Sequence, residues 1–392
     1  MKSVLQACPG VLSKKQLDTL IADGAIEDVS GSLRAGPSSV DLTLSKKAWK
    51  LKAGQRPSTR ELSKIRSSGE EFLAQTDSKG DFFHFEAKQI YLVQLNETLG
   101  LPSNVSGRST GKSSVGRLDV ITRLITTNGS EYDVVREGYE GDLYLMLLPQ
   151  TFDIRVALGD SLNQLRLFSG PQHAAVVSRE MAGYYGSPFW YLRKETEYVE
   201  GEVLKKEADS LTVDPLLFDL TVDLADPDSA FIYGAKRGNF PPIDFGKRAG
   251  SKKISPGGFF ERVPVEKNKN ESSVVLKTGS FYIMKSRERL YIPEDVAVEV
   301  VAISERIGDI RIHYAGFAHP GFGMDRSDGK CGTPLIFEVR ATDMDTKLYH
   351  ESILARIQLS KMSERTQREK SSYDAQELKL SSVFGEWPED ER

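Results

Sequence analysis

The sequence has little of what marks secreted, membrane-spanning or polymer-binding proteins. It holds only two cysteines, Cys8 and Cys331, in no CxxC pair, so a disulfide framework is excluded and a reducing cytoplasm fits best. No apolar run approaches the roughly 18 residues of a membrane span, and Pro9-Gly10 interrupts the N-terminal apolar stretch in a way that is poor for a signal peptide. The net charge of −4 leaves no global basic field to recruit a nucleic-acid polymer. We therefore predict a cytoplasmic protein that binds neither membrane nor nucleic-acid polymer and that catches any anionic ligand with a local basic motif.

The ligands of a catalytic zinc site are also missing. His84-Phe-Glu86 supplies an H-x-E triplet, but no P-C-x-x-C completes the zinc motif. The five histidines include no H-x-x-x-H pair, and no Rossmann fingerprint follows a strand. We expect no catalytic zinc held by the protein.

What is present is enough apolar sequence for a substantial core. Of the 392 residues, 39% are hydrophobic and 28% are charged, which excludes a mainly disordered or fibrous protein. At roughly 100–200 residues per domain, the length suggests two domains or three small ones.

Internal similarity indicates two tandem copies of one domain. Residues 90–93 (IYLV) lead through Glu97 to Leu101-Pro102, and residues 281–284 (FYIM) lead through Glu288 to Ile292-Pro293, at a constant offset of 191. A second echo, in the same order, pairs residues 40–44 with residues 218–222. We place the first domain at 1–172, a linker region at 173–209 and the second domain at 210–392.

Each copy is predicted to be mainly β. Apolar or alternating runs bounded by turn residues predict strands at 90–95, 143–148, 281–285, 296–303 and 334–339. One amphipathic helix is predicted from Lys14 to Ile26 with Ser13 as its N-cap, and a second at 364–370. Residues 247–273 are predicted to form a long exposed loop, and residues 388–392 a solvated tail. Many short strands with regular turn signals favour a compact barrel or jelly-roll-like domain.

The most unusual string is residues 107–117 (GRSTGKSSVGR). It is not a P-loop, because Gly107 and Gly111 enclose three residues where a P-loop needs four, and residues 118–125 look like a strand. The G-x-S-x-G centred on Ser109 lacks the strand-turn-helix context of a nucleophile elbow. Backbone amides, hydroxyls and the cations Arg108, Lys112 and Arg117 could form an anion cradle. The alternative is a solvated basic turn.

Glu338 is the carboxylate of interest in the second copy. Its strand is predicted to turn Leu335, Phe337 and Val339 to the core, so Glu338 shares the other face with Ile336 and Arg340. A carboxylate among apolar neighbours can serve as base and acid in turn. The residues alone favour the alternative, an ordinary exposed glutamate paired with Arg340.

Over nearly its whole length the chain resembles the dCTP deaminase family of the dUTPase-like superfamily, in the double-length tandem form. The strings that carry the resemblance are residues 37–44 (PSSVDLTL), 112–119 (KSSVGRLD), 138–141 (GYEG), 159–165 (GDSLNQL), 315–323 (AGFAHPGFG) and 335–339 (LIFEV). Residues 373–379 (YDAQELK) are similar to the family's nucleotide-closing tail.

The resemblance implies two distorted jelly-roll β domains with a few short helices, and a homo-oligomer with active sites at domain interfaces. The implied reaction converts dCTP to dUTP and ammonia in pyrimidine deoxynucleotide synthesis, using Mg²⁺ on the triphosphate and no zinc. Glu338 falls on the catalytic glutamate. The other implied site residues are Lys112, Ser113, Ser114 and Arg117 on the phosphate-binding and active-site string, and Tyr373 and Lys379 on the tail.

The two copies depart from the family pattern in complementary ways. In the first copy Met146 stands at the position of the glutamate. In the second, Arg306 keeps the arginine, but Ala302 and Ile303 replace the serine pair. This pattern suggests one composite site, with the phosphate grip from one copy and the base from the other, formed either within a chain or between chains.

Two other functions stay open on the sequence. A dUTPase, or a bifunctional enzyme that carries dCTP on to dUMP and pyrophosphate, would need an acidic residue beside the triphosphate, for which Asp119 or Asp133 are candidates. A catalytically inactive nucleotide-sensing module is the third possibility.

Overall fold

The computed structural model describes residues 8–31, 33–54, 59–177, 190–194, 197–200, 217–226, 230–250, 253–269, 271–301, 303, 310–312, 316–324, 332–367 and 376–387. Its helices are α1 (Lys14–Ala22), α2 (Thr59–Ser68), α3 (Ser113–Gly116) and α4 (Gln172–Ala175), with 3₁₀ turns at Gly246–Arg248 and Pro256–Gly258.

The strands of the first half of the sequence are β1 (Gly10–Val11), β2 (Ile26–Asp28), β3 (Val40–Leu51), β4 (Glu70–Glu71), β5 (Gln75–Asp77), β6 (Gly80–Phe85), β7 (Ile90–Gly100), β8 (Val105–Gly111), β9 (Val120–Thr126), β10 (Val134–Val135), β11 (Glu140–Pro149), β12 (Ile154–Ala157) and β13 (Ser161–Ser169). Those that follow are β14 (Trp190–Lys194), β15 (Glu197–Glu200), β16 (Leu217–Thr221), β17 (Phe231–Ala235), β18 (Ile243–Phe245), β19 (Phe260–Pro264), β20 (Glu266–Asn268), β21 (Glu271–Leu276), β22 (Phe281–Leu290), β23 (Val296–Val301), β24 (Ile310–Ile312), β25 (Phe317–Ala318), β26 (Thr333–Ala341), β27 (Thr346–Tyr349) and β28 (Ile353–Lys361). The prediction of a mainly β protein with a few short helices is confirmed.

Contacts divide the chain into two compact units. Unit 1 comprises Met1–Ala174, Arg237–Phe259 and Ser381–Arg392, and unit 2 comprises Ala175–Lys236 and Phe260–Leu380. Two segments from the second half of the sequence therefore belong to unit 1. No helix of the described residues is long and apolar enough to cross a membrane.

Unit 1 contains two sheets. One has the strand order β10-β8-β13-β3-β7-β11-β9, and the other has the order β18-β12-β6-β5. Most neighbours are antiparallel, but β18 pairs parallel to β12, with Ile243 opposite Ile154 and Phe245 opposite Val156. This parallel pairing is how the segment 237–259 enters the fold of unit 1.

The described residues of unit 2 form three sheets. Their paths are β15-β14-β22-β17-β19 with β26 also paired to β22, then β16-β28-β23-β25, and β20-β21-β27. Its core is formed by buried aliphatic and aromatic side chains of these strands, among them Phe218, Met284, Phe337 and Ile357.

Two side-chain contacts recur in both copies. The Glu97 carboxylate accepts hydrogen bonds from the Thr43 hydroxyl at 2.6 Å and the Thr43 amide at 2.9 Å, and Glu288 accepts the same pair from Thr221 at 2.6 and 2.8 Å. The Glu86 amide donates to the Tyr91 hydroxyl at 3.0 Å, and the Lys277 amide donates to the Tyr282 hydroxyl at 2.9 Å. Tyr91 and Tyr282 are 191 residues apart, the offset of the repeat. In each copy the threonine–glutamate contact joins the two segments that are similar between the copies. This confirms the interpretation of the chain as two tandem copies of one domain.

Three local predictions need correction. Helix α1 begins at Lys14, with the predicted Ser13 cap completed by Gln16, but it ends at Ala22 rather than Ile26 because Gly24 turns the chain at φ 74° and Ile26 enters β2. Residues 364–367 are not helical, and 368–370 lie outside the described residues, as do 388–392.

The third correction concerns residues 247–273, which do not form a long exposed loop. They contain two 3₁₀ turns and strands β19 to β21, and Arg248, Phe259 and Phe260 are buried. The Lys-, Gly- and Asn-rich composition suggested a loop because β20 is exposed along its length and the pairing of β19 with β17 does not show in a local pattern.

Candidate active site

The basic string lies at the junction of strand β8, helix α3 and strand β9. Lys112 is the N-cap of α3 with an extended backbone (φ −72°, ψ 141°), and Arg117 is its C-cap. Strand β9 follows at Val120, as the sequence predicts, so the P-loop arrangement of a glycine-rich loop and a long helix is absent from this part of the structure.

Lys112 places its ammonium group in a partly exposed ion pair. Its Nζ contacts Asp41 Oδ2, and the two side chains are 28% and 43% exposed. An ion pair at this exposure adds little to the free energy of unfolding. Lys112 can therefore exchange its carboxylate partner for a phosphate at small cost.

The other residues of the string are more enclosed. Ser113 is the first residue of α3 and is half-buried, while Ser114 is buried and its carbonyl oxygen accepts a hydrogen bond from Ser381 Oγ at 2.8 Å. Arg117 is only 3% exposed. The string 107–117 is therefore held in place by packing and is not a solvated turn.

A cavity of about 620 Å³ in unit 1 opens beside this string. Lys112 and Ser114 line it, whereas Ser113 and Arg117 are not among its lining residues. It is also lined by Lys247 and Lys253, which sequence reasoning missed because their region was interpreted as a loop.

Glu338 lies in the middle of β26 and is 1% exposed. Phe337 and Val339 belong to the core of unit 2, and Leu335 packs against it, as predicted from the alternation. The interpretation of Glu338 as an ordinary exposed glutamate is wrong, because its own face is covered as well: Ile283, directly opposite on β22, is fully buried.

A second charged group shares that face of the sheet. Lys285 lies opposite Ile336, is 5% exposed, and contacts Asp226 Oδ2 and, at 3.1 Å, Glu377 Oε2. Burial opposes the charged form of Lys285, but the hydrogen bond that its ammonium group donates to Asp226 and the nearby carboxylates raise its pKa. Arg289 Nη1 holds the other oxygen of Glu377 at 2.9 Å. Sequence reasoning missed this cluster, since its members are far apart along the chain.

The strand register supports the correspondence between Met146 and Glu338. Met146 on β11 lies opposite Leu92 on β7, and Glu338 on β26 lies opposite Ile283 on β22. Leu92 and Ile283 are 191 residues apart, the offset of the repeat. Met146 packs against an apolar cluster that includes Leu62 and Ile65 of helix α2, so in unit 1 this position is apolar.

The remaining sequence-predicted residues are less informative. Arg306, Tyr373 and Ala302 lie outside the described residues. Ile303 is partly buried, and Lys379 is exposed. Among the described residues, no group of three or more His, Cys, Asp or Glu side chains could hold a metal ion.

Comparison with known proteins gives the family. The N-terminal domain of 2'-deoxycytidine 5'-triphosphate deaminase matches residues 8–171, and its C-terminal domain matches residues 193–384. The crystal structure of 2'-deoxycytidine 5'-triphosphate deaminase from Agrobacterium tumefaciens is similar, with a TM-score of 0.75 and 27% identity, over 90% of this chain and 99% of that chain. No curated protein sequence matches. The chain belongs to the dCTP deaminase family, in its tandem form, and is a hydrolase that deaminates dCTP.

Proposed function

We propose that Glu338 is the general base and acid of this deamination and that the reaction does not use zinc. The Glu338 carboxylate takes a proton from water as the water oxygen attacks C4 of the cytosine ring, and then delivers it to the departing amino group, so that dCTP and water become dUTP and ammonia. The observation that carries the proposal is the position of Glu338: a carboxylate 1% exposed on a central strand, where the other copy has a methionine.

In this proposal the first copy binds the triphosphate and the attacking water. Ser113 holds the water or the developing tetrahedral centre by a hydrogen bond. Lys112, Ser114 and Arg117 hold the triphosphate through charge-assisted hydrogen bonds. Arg306, Tyr373 and Lys379 are added on the resemblance alone.

Magnesium enters this proposal through the substrate. Mg²⁺ is usually bound by substrate phosphates with one or two carboxylates, and it neutralises their charge. The carboxylates that line the cavity of unit 1 are Asp41, which contacts Lys112, and Asp160, which accepts the Lys247 amide. This donor set fits an ion that is held mainly by the triphosphate.

The dUTPase alternative would need Asp119 or Asp133 as the acidic residue beside the triphosphate, but both carboxylates are engaged in structural contacts. Asp119 is fully buried and accepts the Thr151 hydroxyl. Asp133 pairs with Arg123 at 2.9 Å and accepts the Leu124 amide at 2.7 Å. Both hold neighbouring turns and strands in place. The inactive-sensor alternative is disfavoured by the complementary losses, since random decay need not spare one full set.

We also propose a cytoplasmic homo-oligomer with sites at domain interfaces. The support for the compartment is the use of only two cysteines, neither in a CxxC pair. The support for sites at domain interfaces is that neither copy alone carries both the serine pair and the glutamate, and the homo-oligomer is added on the resemblance alone.

The test is incubation with dCTP and Mg²⁺, resolving dUTP, dUMP and ammonia. We expect dUTP and ammonia in equal amounts from the wild type. Activity should survive strong chelation followed by magnesium alone. Recovery only after zinc is added would contradict the zinc-independent mechanism, and dUMP as the main product would favour the bifunctional alternative.

A further inference from the structure

The segment 237–259 comes from the second copy of the sequence but is built into unit 1. In addition to the β18–β12 pairing, Arg248 is 3% exposed, its Nη2 contacts Asp77 Oδ2 at 2.8 Å, and its guanidinium lies 3.8 Å from the ring centroid of Phe82. Planar guanidinium groups suit both contacts. The segment is therefore fixed in place, and its side chains have defined positions relative to the cavity.

The turn at Gly246–Arg248 brings Lys247 to the cavity. Gly246 has φ 58°, and a Cβ there would press against the Asp160 carboxylate, so a larger residue would be strained and would displace that side chain. The Lys247 amide donates to Asp160 Oδ2 at 3.0 Å, and Lys247 Nζ donates to the carbonyl oxygen of Gly159 at 3.2 Å. The ammonium group is thus held at the cavity by a neutral acceptor.

Lys253 reaches the same cavity from the other end of the segment. Its Nζ donates to the Ser382 carbonyl oxygen. The next residue, Ile254, forms a parallel bridge with Phe384, in which the Ile254 amide donates to the Val383 carbonyl oxygen at 3.1 Å and the Gly385 amide donates to the Ile254 carbonyl oxygen at 2.9 Å. Ser381, in the same C-terminal segment, is bonded to Ser114 of the phosphate-binding string. Lys253 and the string are therefore tied to one short piece of chain.

The cavity is positively charged. Its charged lining residues are the cations Arg34, Lys112, Lys247 and Lys253 and the carboxylates Asp41 and Asp160. This is an excess of two positive charges at a site where Asp41 already contacts Lys112. Burial raises the pKa of Asp160, against the hydrogen bond that its carboxylate accepts from the Lys247 amide. An anion with several charges, such as a polyphosphate, matches this surface.

We propose that Lys247 and Lys253 bind the triphosphate of the nucleotide together with Lys112, so that the second copy contributes directly to the phosphate grip of the first. This rests on the proposed function for the role of Lys112. The polyphosphate lies in the 620 Å³ cavity, with Lys112 and Ser114 on one wall and the segment 237–259 on the other. Lys247 and Lys253 are exposed, so replacing them leaves the packing of unit 1 intact.

The experiment compares Lys247→Ala, Lys253→Ala and the double variant with the wild type. The control is Lys15→Ala, which removes an exposed lysine of helix α1 in the same unit and outside the cavity. Binding of inorganic tripolyphosphate is measured by calorimetry at two salt concentrations, and KM and kcat are measured with dCTP. In the double variant we expect at least tenfold weaker tripolyphosphate binding, a shallower salt dependence and a KM for dCTP raised by a similar factor. The control should match the wild type, and Lys247→Arg should keep most of the binding.

Unchanged tripolyphosphate binding in the double variant would overturn the proposal. Weaker tripolyphosphate binding with an unchanged KM for dCTP would also overturn it, because the cavity would then be separate from the substrate site. The binding arm does not depend on turnover. If the proposed role of Lys112 fails, Lys112→Ala leaves the KM for dCTP unchanged, whereas failure of this inference alone keeps the effect of Lys112→Ala and leaves the KM insensitive to both Lys247 and Lys253.

Discussion

At the scale of single residues, two cations of the string 107–117 differ in their exposure to solvent. Lys112 is 28% exposed and lines the cavity, whereas Arg117 is 3% exposed and caps helix α3. A cation that lines the cavity contributes mainly to binding. An enclosed cation also contributes to the packing around it, so the two residues are expected to differ in what their removal changes.

Lys112→Ala should raise the KM for dCTP without a matching loss of kcat. A hydrogen bond to a charged group contributes roughly 1–3 kcal/mol, and added salt should mimic part of the loss in the wild type. Arg117→Ala should raise KM as well and, because Arg117 is buried, should also lower Tm. Steady-state kinetics and thermal melting measure both effects. An unchanged KM in both variants would place the phosphate site elsewhere.

Glu97 predicts a pH dependence of the stability of unit 1. Burial raises its pKa to about 7, against the lowering effect of the hydrogen bonds from Thr43. The folded state then binds more protons than the unfolded state between the ordinary pKa of 4.5 and about 7. This contribution is full below pH 4.5 and is lost as the pH rises to 7, a change of roughly 3 kcal/mol.

Glu97→Gln should remove that part of the pH dependence. Melting at pH 5 and at pH 8 measures it, with Glu27→Gln on the exposed part of β2 as the control. We expect the fall in Tm between the two pH values to be smaller in Glu97→Gln than in the wild type or the control. The same fall in all three proteins would contradict the assignment.

At the scale of elements, the segment 237–259 depends on Arg248. Arg248→Leu removes both the Asp77 contact and the stacking on Phe82. We expect Tm to fall by at least about 2 °C, the shift that 1 kcal/mol produces in a domain of this size, and limited proteolysis to cut faster near Gly250. Arg248→Lys keeps the charge but not the planar guanidinium group. Its Tm and its rate of cleavage should lie between those of the wild type and those of Arg248→Leu. Unchanged proteolysis in Arg248→Leu would mean that other contacts hold the segment.

The elements also show where sequence patterns are sufficient and where they fail. The run 281–285 predicts a strand that the structure extends to Leu290, and the Ser13 cap is confirmed, because both depend on local periodicity and capping. Strand β18 has only three residues and pairs with a strand nearly ninety positions earlier in the sequence. Such a pairing leaves no local signal. The loop interpretation of 247–273 failed for a related reason, since β19 pairs with β17 and β20 is exposed along its length.

The alternation of β26 likewise predicted which face Glu338 occupies but not how deeply it is buried. Period-two patterning separates the two faces of a strand, while burial on the second face depends on which elements cover it. The cluster around Lys285 and the cavity beside Lys112 are built from residues dozens to hundreds of positions apart. The reason to assign Glu338 and Ser113 to the same reaction came from the resemblance and not from local chemistry.

At the scale of the whole molecule, the proposed catalytic residues are divided between the two copies, with Ser113 in the first and Glu338 in the second. The last prediction follows from this division. Glu338→Gln keeps the size of the side chain but cannot accept a proton, so turnover should fall by at least ~10²-fold. Binding of dCTP should survive, since the proposed phosphate contacts lie in unit 1 and Glu338 lies in unit 2. Ser113→Ala should abolish turnover with an unchanged Tm. Lys15→Ala serves again as the active control.

Mixing the two inactive variants under conditions that allow subunit exchange then tests whether two chains can share a site. Where residues from different chains serve one nucleotide, some mixed assemblies pair an intact Ser113 with an intact Glu338, and activity returns in proportion to exchange. Where one chain supplies both residues, every chain carries a lesion and no activity returns. Full activity in Glu338→Gln alone would remove the base assignment. The composite arrangement would then lose its basis, because Met146 in the first copy would no longer mark the loss of a function that the second copy keeps.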